Sequence, residues 1–147
     1  MSNIKLYTIG FTKKNAQSFF STLRKAGVVK IFDIRLSNIS QLAGFTKRDD
    51  LIFFLKELCN CEYHHIPNFA PTKEILDAYK KKKIDWNEYV RRFSALIKDR
   101  KIENIISLED LNNSCFLCSE PTPDQCHRRL VAEYLKEKLG NIEIEHL

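Results

Sequence analysis

The chain has 147 residues, of which 44% are hydrophobic and 29% charged, a balance typical of one folded domain and unlike that of a disordered chain. No apolar run approaches the roughly 20 residues that span a bilayer, and the first residues lack the long apolar stretch of a secretory signal peptide. The formal net charge of +5 is compatible with an anionic partner but does not require one, because a basic solvated surface carries the same charge.

The cysteines indicate where the protein resides. Their number, five, is odd, whereas small secreted disulfide scaffolds usually contain even numbers in much shorter chains. They fall into two groups, with Cys59 and Cys61 in one and Cys115, Cys118 and Cys126 in the other. We therefore predict five reduced thiols in a cytoplasmic protein.

The apolar pattern predicts strands and helices that alternate along the chain. Ala16, Phe19, Phe20 and Leu23 recur at the spacing of one buried helix face, and Asn15 is suited to cap that helix. The same criteria predict strands at residues 6–9, 28–34, 62–66, 115–118 and 142–146, and helices at 16–26, 51–58, 73–82, 86–97 and 123–139. Residues 103–113 fit either a strand or a helical turn, and the long polar stretch 35–47 is typical of a binding loop.

This order of elements predicts a single α/β domain over residues 1–147, with three layers and helices on both faces of a mostly parallel sheet. Ligands of such sheets bind outside the carboxyl ends of the strands, where helix N-termini also attract anions. Nearly every predicted strand ends there in polar or titratable residues. The first strand ends in Gly10, Phe11 and Thr12, and the second in Asp33 and Arg35. The third ends in His64 and His65, the fourth in Cys118 and Glu120, and the last in His146.

The segment from Cys118 to Arg129 has the highest density of reactive side chains. Its prolines stiffen the turn between strand and helix, and Thr122 is the predicted N-cap of that helix. A thiol in the first turns of a helix ionises more readily, because the helix dipole and nearby cations stabilise the thiolate. Neighbouring helical residues point about 100° apart. At most two of Cys126, His127 and Arg128 can therefore reach one cleft.

Three interpretations of this segment stay open. In a nucleophilic site, Cys118 or Cys126 is the thiolate, His127 is the base or orients the thiolate, and Arg128 is the anion clamp. In the structural interpretation, the cysteines are unreactive residues of the core, and Arg128 forms an ion pair with Glu120. A metal site would combine Cys115 and Cys118 with Cys126 and His127, but residues three apart on a strand face opposite ways, so we predict no metal ligands.

A basic run, Lys80–Lys83, lies close to Trp86 and Tyr89. Lysines next to stacking aromatic rings are found on nucleic-acid-binding surfaces. The two aromatic residues, however, lie on the apolar stripe of a predicted helix, so we favour a core position for them and a solvated surface for the lysines.

Five motifs occur in order along nearly the whole chain. They are Thr8-Ile9-Gly10, Asp33-Ile34-Arg35, Gly44-Phe45-Thr46-Lys47, Tyr63-x-His65-x-Pro67 and Cys118-x-Glu120-x-x-Pro123-x-x-Cys126-His127-Arg128. Together they resemble the uncharacterised family called domain of unknown function 488, and the last motif is the most specific.

The resemblance implies a compact three-layer α/β fold and a shared polar cluster. On matching positions this cluster is Gly10, Asp33, Arg35, His65, Cys118, Glu120, Cys126, His127 and Arg128. Two departures stand out: residues 36–43 lack the prolines and arginines that many relatives have, and Phe11 stands where a histidine is common.

The main hypothesis is a small cytoplasmic enzyme acting on an anionic substrate, such as a phosphate-bearing or nucleotide-like compound. Its candidate catalytic residues are Cys118, Glu120, Cys126, His127 and Asp33, and its candidate anion-binding residues are Gly10, Arg35, His65 and Arg128. The alternatives are a non-catalytic module that binds nucleotides, nucleic acid or a protein, and a metalloprotein. The sequence names no cofactor, predicts no membrane partner and leaves the oligomeric state open.

Overall fold

A computed structural model describes residues 3–38, 44–120 and 123–147. The strands are β1 (Ile4–Gly10), β2 (Lys30–Asp33), β3 (Glu62–His65), β4 (Ser114–Cys118) and β5 (Ile142–His146). They form one sheet in the order β3-β2-β4-β1-β5, and every neighbouring pair is parallel. All five carboxyl ends therefore lie at one edge, with the end of β4 at the centre.

The helices are α1 (Ala16–Ala26), α2 (Arg48–Cys59), α3 (Lys73–Lys80), α4 (Trp86–Arg100), α5 (Leu108–Leu111) and α6 (His127–Leu139). They cover both faces of the sheet and enclose two apolar cores. Phe93 of α4 and Val131 of α6 belong to one core, whereas Phe19 of α1 and Leu55 of α2 belong to the other. The predicted three-layer α/β fold is confirmed.

Most predicted elements occur close to their predicted positions. Asn15 caps α1 by accepting a hydrogen bond from the Ser18 amide, as expected of an N-cap asparagine. The uncertain stretch 103–113 contains the short helix α5, which begins with a capping box between Ser107 and Asp110. Tyr89 is buried and Trp86 partly buried, whereas Lys80–Lys83 are exposed, so this part of the surface is as predicted.

The last helix differs from its prediction. It begins at His127, with Cys126 as an extended N-cap residue, and not at Pro123. The Arg129 side chain donates hydrogen bonds to the carbonyl oxygens of Pro123 and Asp124. These bonds hold the preceding residues in a turn. The predicted cap, Thr122, lies outside the described residues.

In the described ranges, the helices are too short or too polar to cross a bilayer.

Candidate functional site

A cavity of about 590 Å³ opens at the carboxyl edge of the sheet. Five predicted site residues line it: Arg35, Cys118, Glu120, Cys126 and His127. The other four, Gly10, Asp33, His65 and Arg128, are not among the lining residues, but each lies against a residue that is. The lining also includes Tyr79 and Tyr89, from α3 and α4. The structure therefore brings the predicted residues together as a lining and a supporting layer.

The sulfur atoms of Cys118 and Cys126 are in bonding contact, as a disulfide, and both residues are almost completely buried in the cavity wall. Cys59, Cys61 and Cys115 are free. The prediction of five reduced thiols is thus wrong for this pair. The start of α6 returns over the end of β4, which brings together two sulfurs separated by 8 residues in sequence. No local sequence pattern predicts that these two segments approach each other.

Arg128 lies fully buried behind the sulfur pair. Its Nη1 atom donates to the Glu120 carbonyl oxygen at 2.6 Å and to the Cys118 sulfur at 3.4 Å, and its Nε donates to the Thr8 hydroxyl at 3.2 Å. Nη2 has no hydrogen-bond partner among the described residues. The suggested ion pair with Glu120 does not form, because Arg128 contacts the main-chain oxygen of that residue while the Glu120 side chain is exposed.

Gly10 makes this arrangement possible through its lack of a side chain. A Cβ atom at this position would lie 1.6 Å from the Glu120 carbonyl oxygen and 2.6 Å from Arg128 Nη1. Backbone cannot approach backbone so closely past a Cβ atom. Gly10 thus positions Arg128 and the Glu120 carbonyl by leaving room for them.

Asp33 holds Arg35 at the cavity wall. The Asp33 carboxylate is fully buried and accepts three hydrogen bonds from Arg35, at 2.7 to 3.2 Å, and one from the Tyr63 hydroxyl at 2.5 Å. Burial and the hydrogen bond to Asp33 raise the pKa of Tyr63. Arg35 is 6% exposed, and its Nη1 atom has no hydrogen-bond partner among the described residues. His65 Nε2 bonds the Arg35 carbonyl oxygen at 2.8 Å, which further fixes this loop.

His127 is a neutral side chain in this setting. Burial lowers its pKa to about 4. Its Nε2 lies 2.6 Å from the Ile34 carbonyl oxygen, and because a carbonyl only accepts, Nε2 must carry the hydrogen. The Nδ1 atom is then left as the acceptor of the ring, which packs edge-on against Phe93.

The pKa of His127 predicts how stability depends on pH. The folded state holds the proton more weakly than the unfolded state, whose pKa is 6.5. The contribution of His127 is therefore complete above pH 6.5 and is lost as the pH falls toward 4. We expect a loss of about 3 kcal/mol over this range, at 1.36 kcal/mol per pH unit.

Denaturant unfolding of wild type and His127→Gln between pH 4 and 7 measures this loss. Glutamine can still donate to the Ile34 carbonyl but cannot be protonated, so the variant should lack the histidine component of the slope. His64→Gln, at an exposed position, controls for the replacement of a histidine by glutamine as such. A wild-type slope that persists in His127→Gln would contradict the assignment.

One group of side chains in the described ranges has the geometry to hold a metal ion. The ligand atoms of Cys118, Cys126 and His127 all lie within 4.8 Å of one another. Cys115 cannot join them, because it points into the opposite core, where burial raises its pKa well above the ordinary value. The predicted opposite orientation of Cys115 and Cys118 is thus confirmed.

Thr8 and Tyr63 contribute to the site, although from the sequence they were named only as members of two motifs and not as site residues. Thr8 is a buried polar residue in an apolar strand, and its hydroxyl contacts both Arg128 and, at 2.5 Å, His146. The sequence shows Thr8 as a single hydroxyl residue between Tyr7 and Ile9 in an apolar strand. Because a buried hydroxyl needs a hydrogen-bond partner, this pattern could have predicted a polar contact. Nothing in the local sequence around Tyr63 indicates its bond to Asp33.

The family model described as Domain of unknown function DUF488 matches residues 15–135. The chain belongs to this family. No curated protein and no solved structure matches the chain significantly. Within the DUF488 match lie Asp33, Arg35 and the whole segment from Cys118 to Arg128, whereas Thr8 and Gly10 precede it. Because the family is defined without a function, the chemistry must be argued from the site.

Proposed function

We propose that the chain is a small thiol-dependent enzyme that acts on an anionic substrate, such as a phosphate-bearing or nucleotide-like compound. The observation that carries this proposal is the buried guanidinium of Arg128. It contacts the Cys118 sulfur at the cavity wall and pairs with no carboxylate among the described residues. A buried cation is costly unless a negative charge is close. In the reduced protein, the Cys118 thiolate is the group placed to supply that charge.

Arg128, and not His127, provides the activating charge. A histidine whose pKa is about 4 is uncharged at neutral pH and takes up a proton only weakly. The guanidinium remains protonated in proteins and stabilises an adjacent thiolate. His127 is better suited to accept a hydrogen bond from a thiol through Nδ1 and to fix its orientation.

The remaining predicted residues divide into two roles. Cys118 is the proposed nucleophile, Cys126 is a second thiol beside it, and the exposed Glu120 can exchange protons with a substrate at the cavity rim. Asp33 and Gly10 do not line the cavity, so we assign them to positioning Arg35 and Arg128, respectively.

Several features of the cavity favour an anion. Arg35 Nη1 has no described partner in a nearly buried side chain, and Lys80 also lines the wall. Helix α6 begins at the same wall, and its N-cap residue Cys126 makes no side-chain capping bond. The N-terminus of a helix attracts negative charge through its dipole. Cations and a helix N-terminus together point to a carboxylate or phosphate group on the substrate.

Two alkylating reagents test this anion preference. Iodoacetate is negatively charged and iodoacetamide is neutral, yet both attack the same thiolate. In reduced Cys126→Ser protein, we expect the ratio of iodoacetate to iodoacetamide rates at Cys118 to exceed that in the urea-unfolded chain by about tenfold, within the range of electrostatic steering.

Lysine variants show whether the cavity causes the preference. Lys80→Met should reduce the ratio, whereas Lys83→Met, which removes an exposed lysine that does not line the cavity, should not. If the ratio of iodoacetate to iodoacetamide rates is no higher in the folded protein than in the unfolded chain, the proposal of an anionic substrate is contradicted. A non-catalytic anion-binding module would bind anions without showing a reactive thiolate.

A second candidate function follows from the group of Cys118, Cys126 and His127. With both sulfurs reduced, these side chains would supply two thiolates and an imidazole, three of the four ligands that Zn²⁺ usually takes in proteins. His127 also makes the bond to a main-chain carbonyl that commonly orients a metal-binding histidine. Elemental analysis of protein purified under reducing conditions tests this candidate, and less than stoichiometric zinc would contradict it.

A further inference from the structure

The cysteine pair is placed so that one substrate can reach both sulfurs. Cys118 ends the central strand β4, and Cys126 is the N-cap residue of α6. Both line the same cavity, and their sulfurs are in bonding contact. A pair of thiols whose sulfurs are in contact can close a disulfide after one of them has reacted with a substrate.

The surroundings of the two sulfurs differ, which indicates their order of reaction. Arg128 Nη1 lies 3.4 Å from the Cys118 sulfur, and its charge favours the thiolate there. Cys126 lies at the helix N-terminus, where the dipole is a weaker influence than a charge in direct contact. Cys118 is therefore the thiol to attack first, and Cys126 the one to follow.

We propose that this chain reduces small anionic disulfides, with Cys126 as the resolving thiol. The proposal rests on the thiolate function argued above and names its reaction. The Cys118 thiolate attacks one sulfur of the substrate R–S–S–R, which forms a Cys118–S–S–R bond and releases the first R–S⁻. Cys126 then loses its proton to the solvent and attacks the Cys118 sulfur, which forms the Cys118–Cys126 disulfide and releases the second R–S⁻.

Two electrons thus pass from the protein dithiol to the substrate, and the two released thiolates take up protons from the solvent according to their own acidity. A low-molecular-weight dithiol, such as dithiothreitol, supplies the two electrons that return the protein to its reduced form by the same exchange in reverse. The Cys118–Cys126 disulfide present in the structure is the oxidised state of this cycle.

The cavity indicates the chemical class of the disulfide. Its volume of about 590 Å³ is in the range of small-molecule sites. Arg35 and Lys80 line it, so carboxylate groups near the substrate sulfurs would be attracted and ammonium groups repelled. Tyr79 and Tyr89 provide an apolar wall for the remainder of the molecule. A short peptide disulfide with free carboxylates has these properties.

Glutathione disulfide and cystamine are suitable probes, because the first is anionic and the second cationic. Reduced full-length protein in a Cys59→Ser background, which removes the most exposed of the free thiols, is mixed with each, and disulfide formation is followed by mass spectrometry. We expect glutathione disulfide to oxidise the pair at least about tenfold faster than cystamine. Cys126→Ser should accumulate a mixed disulfide between Cys118 and glutathione, whereas Cys118→Ser should not accumulate one at Cys126.

Each other outcome overturns the inference in an identifiable way. Faster reaction with cystamine would contradict the anionic substrate class, and trapping at Cys126 in Cys118→Ser would reverse the order of the thiols. No reaction with glutathione disulfide, in protein whose Cys118 is alkylated rapidly at neutral pH, would exclude disulfide reduction and leave the thiolate function intact. The comparison of the two probes in Cys59→Ser protein needs no substitution of Cys118 or Cys126, so it decides the matter even if a variant of either residue fails to fold.

Discussion

Replacing Gly10 with alanine is expected to lower the free energy of unfolding by about 3 kcal/mol, at the upper end of the cost of overpacking a core. The new Cβ atom would lie 1.6 Å from a main-chain oxygen, so the segment at Glu120 has to move, and Arg128 with it. Displacing Arg128 breaks its bonds to Glu120 and Thr8 and leaves buried polar groups unsatisfied. We also expect the Cys118 thiol to become less reactive at neutral pH.

Gly44 is the matched control, because a Cβ atom there meets no described atom within 4 Å. Urea unfolding of Gly10→Ala and Gly44→Ala provides the comparison, and alkylation rates in the same preparations report on the thiol. Equal stabilities of the two variants would show that the close approach at Gly10 has no energetic importance. If Gly10→Ala is as stable as wild type and its Cys118 thiol is alkylated at an unchanged rate, Gly10 does not position Arg128.

The second large effect is expected at Asp33. Asparagine has nearly the same shape, but its amide group would face donors of Arg35 and Tyr63 where a carboxylate oxygen now accepts. The change would also leave the nearly buried Arg35 without its counter-charge. We expect Asp33→Asn to lose about 3–5 kcal/mol, the usual cost of removing one partner of a buried ion pair.

Glu88 provides the comparison at the surface. It accepts hydrogen bonds from Arg91 and Arg92, which lower its pKa to about 2, but these side chains are in contact with solvent. Glu88→Gln should therefore cost much less than Asp33→Asn, because solvent screens exposed pairs. Thermal and urea unfolding of both variants measures the difference. Similar losses would mean that the burial of Asp33 adds nothing to its pairing with Arg35.

The sheet and the edge that carries the site were predictable because both follow from local patterns. Apolar runs such as residues 28–34 mark strands buried on both faces, and the spacing of Phe19, Phe20 and Leu23 marks a helix with one buried face. Parallel strands then place their carboxyl ends together. Arg35, Cys118 and Glu120 could be assigned to one cavity on this reasoning alone.

The contacts that give the site its chemistry depend on tertiary structure. The start of α6 was predicted too early, because Arg129 binds the carbonyls of the preceding turn, a side-chain effect that propensity does not include. The burial of Arg128 depends on the space left by Gly10, which is 118 positions earlier in the numbering. No local sequence pattern predicts the close approach of Arg128 to Gly10 or the sulfur contact between Cys118 and Cys126.

The pH dependence of Cys118 alkylation by iodoacetamide, in a Cys59→Ser, Cys126→Ser protein, tests the central claim most directly. If the buried Arg128 guanidinium stabilises the thiolate, the midpoint of the rate profile should lie at least about one pH unit below the value of 8.5 for a free cysteine, and Arg128→Met should raise it. A midpoint at or above that of a free cysteine, in the folded protein with Arg128 intact, would contradict a thiolate centre at the end of β4.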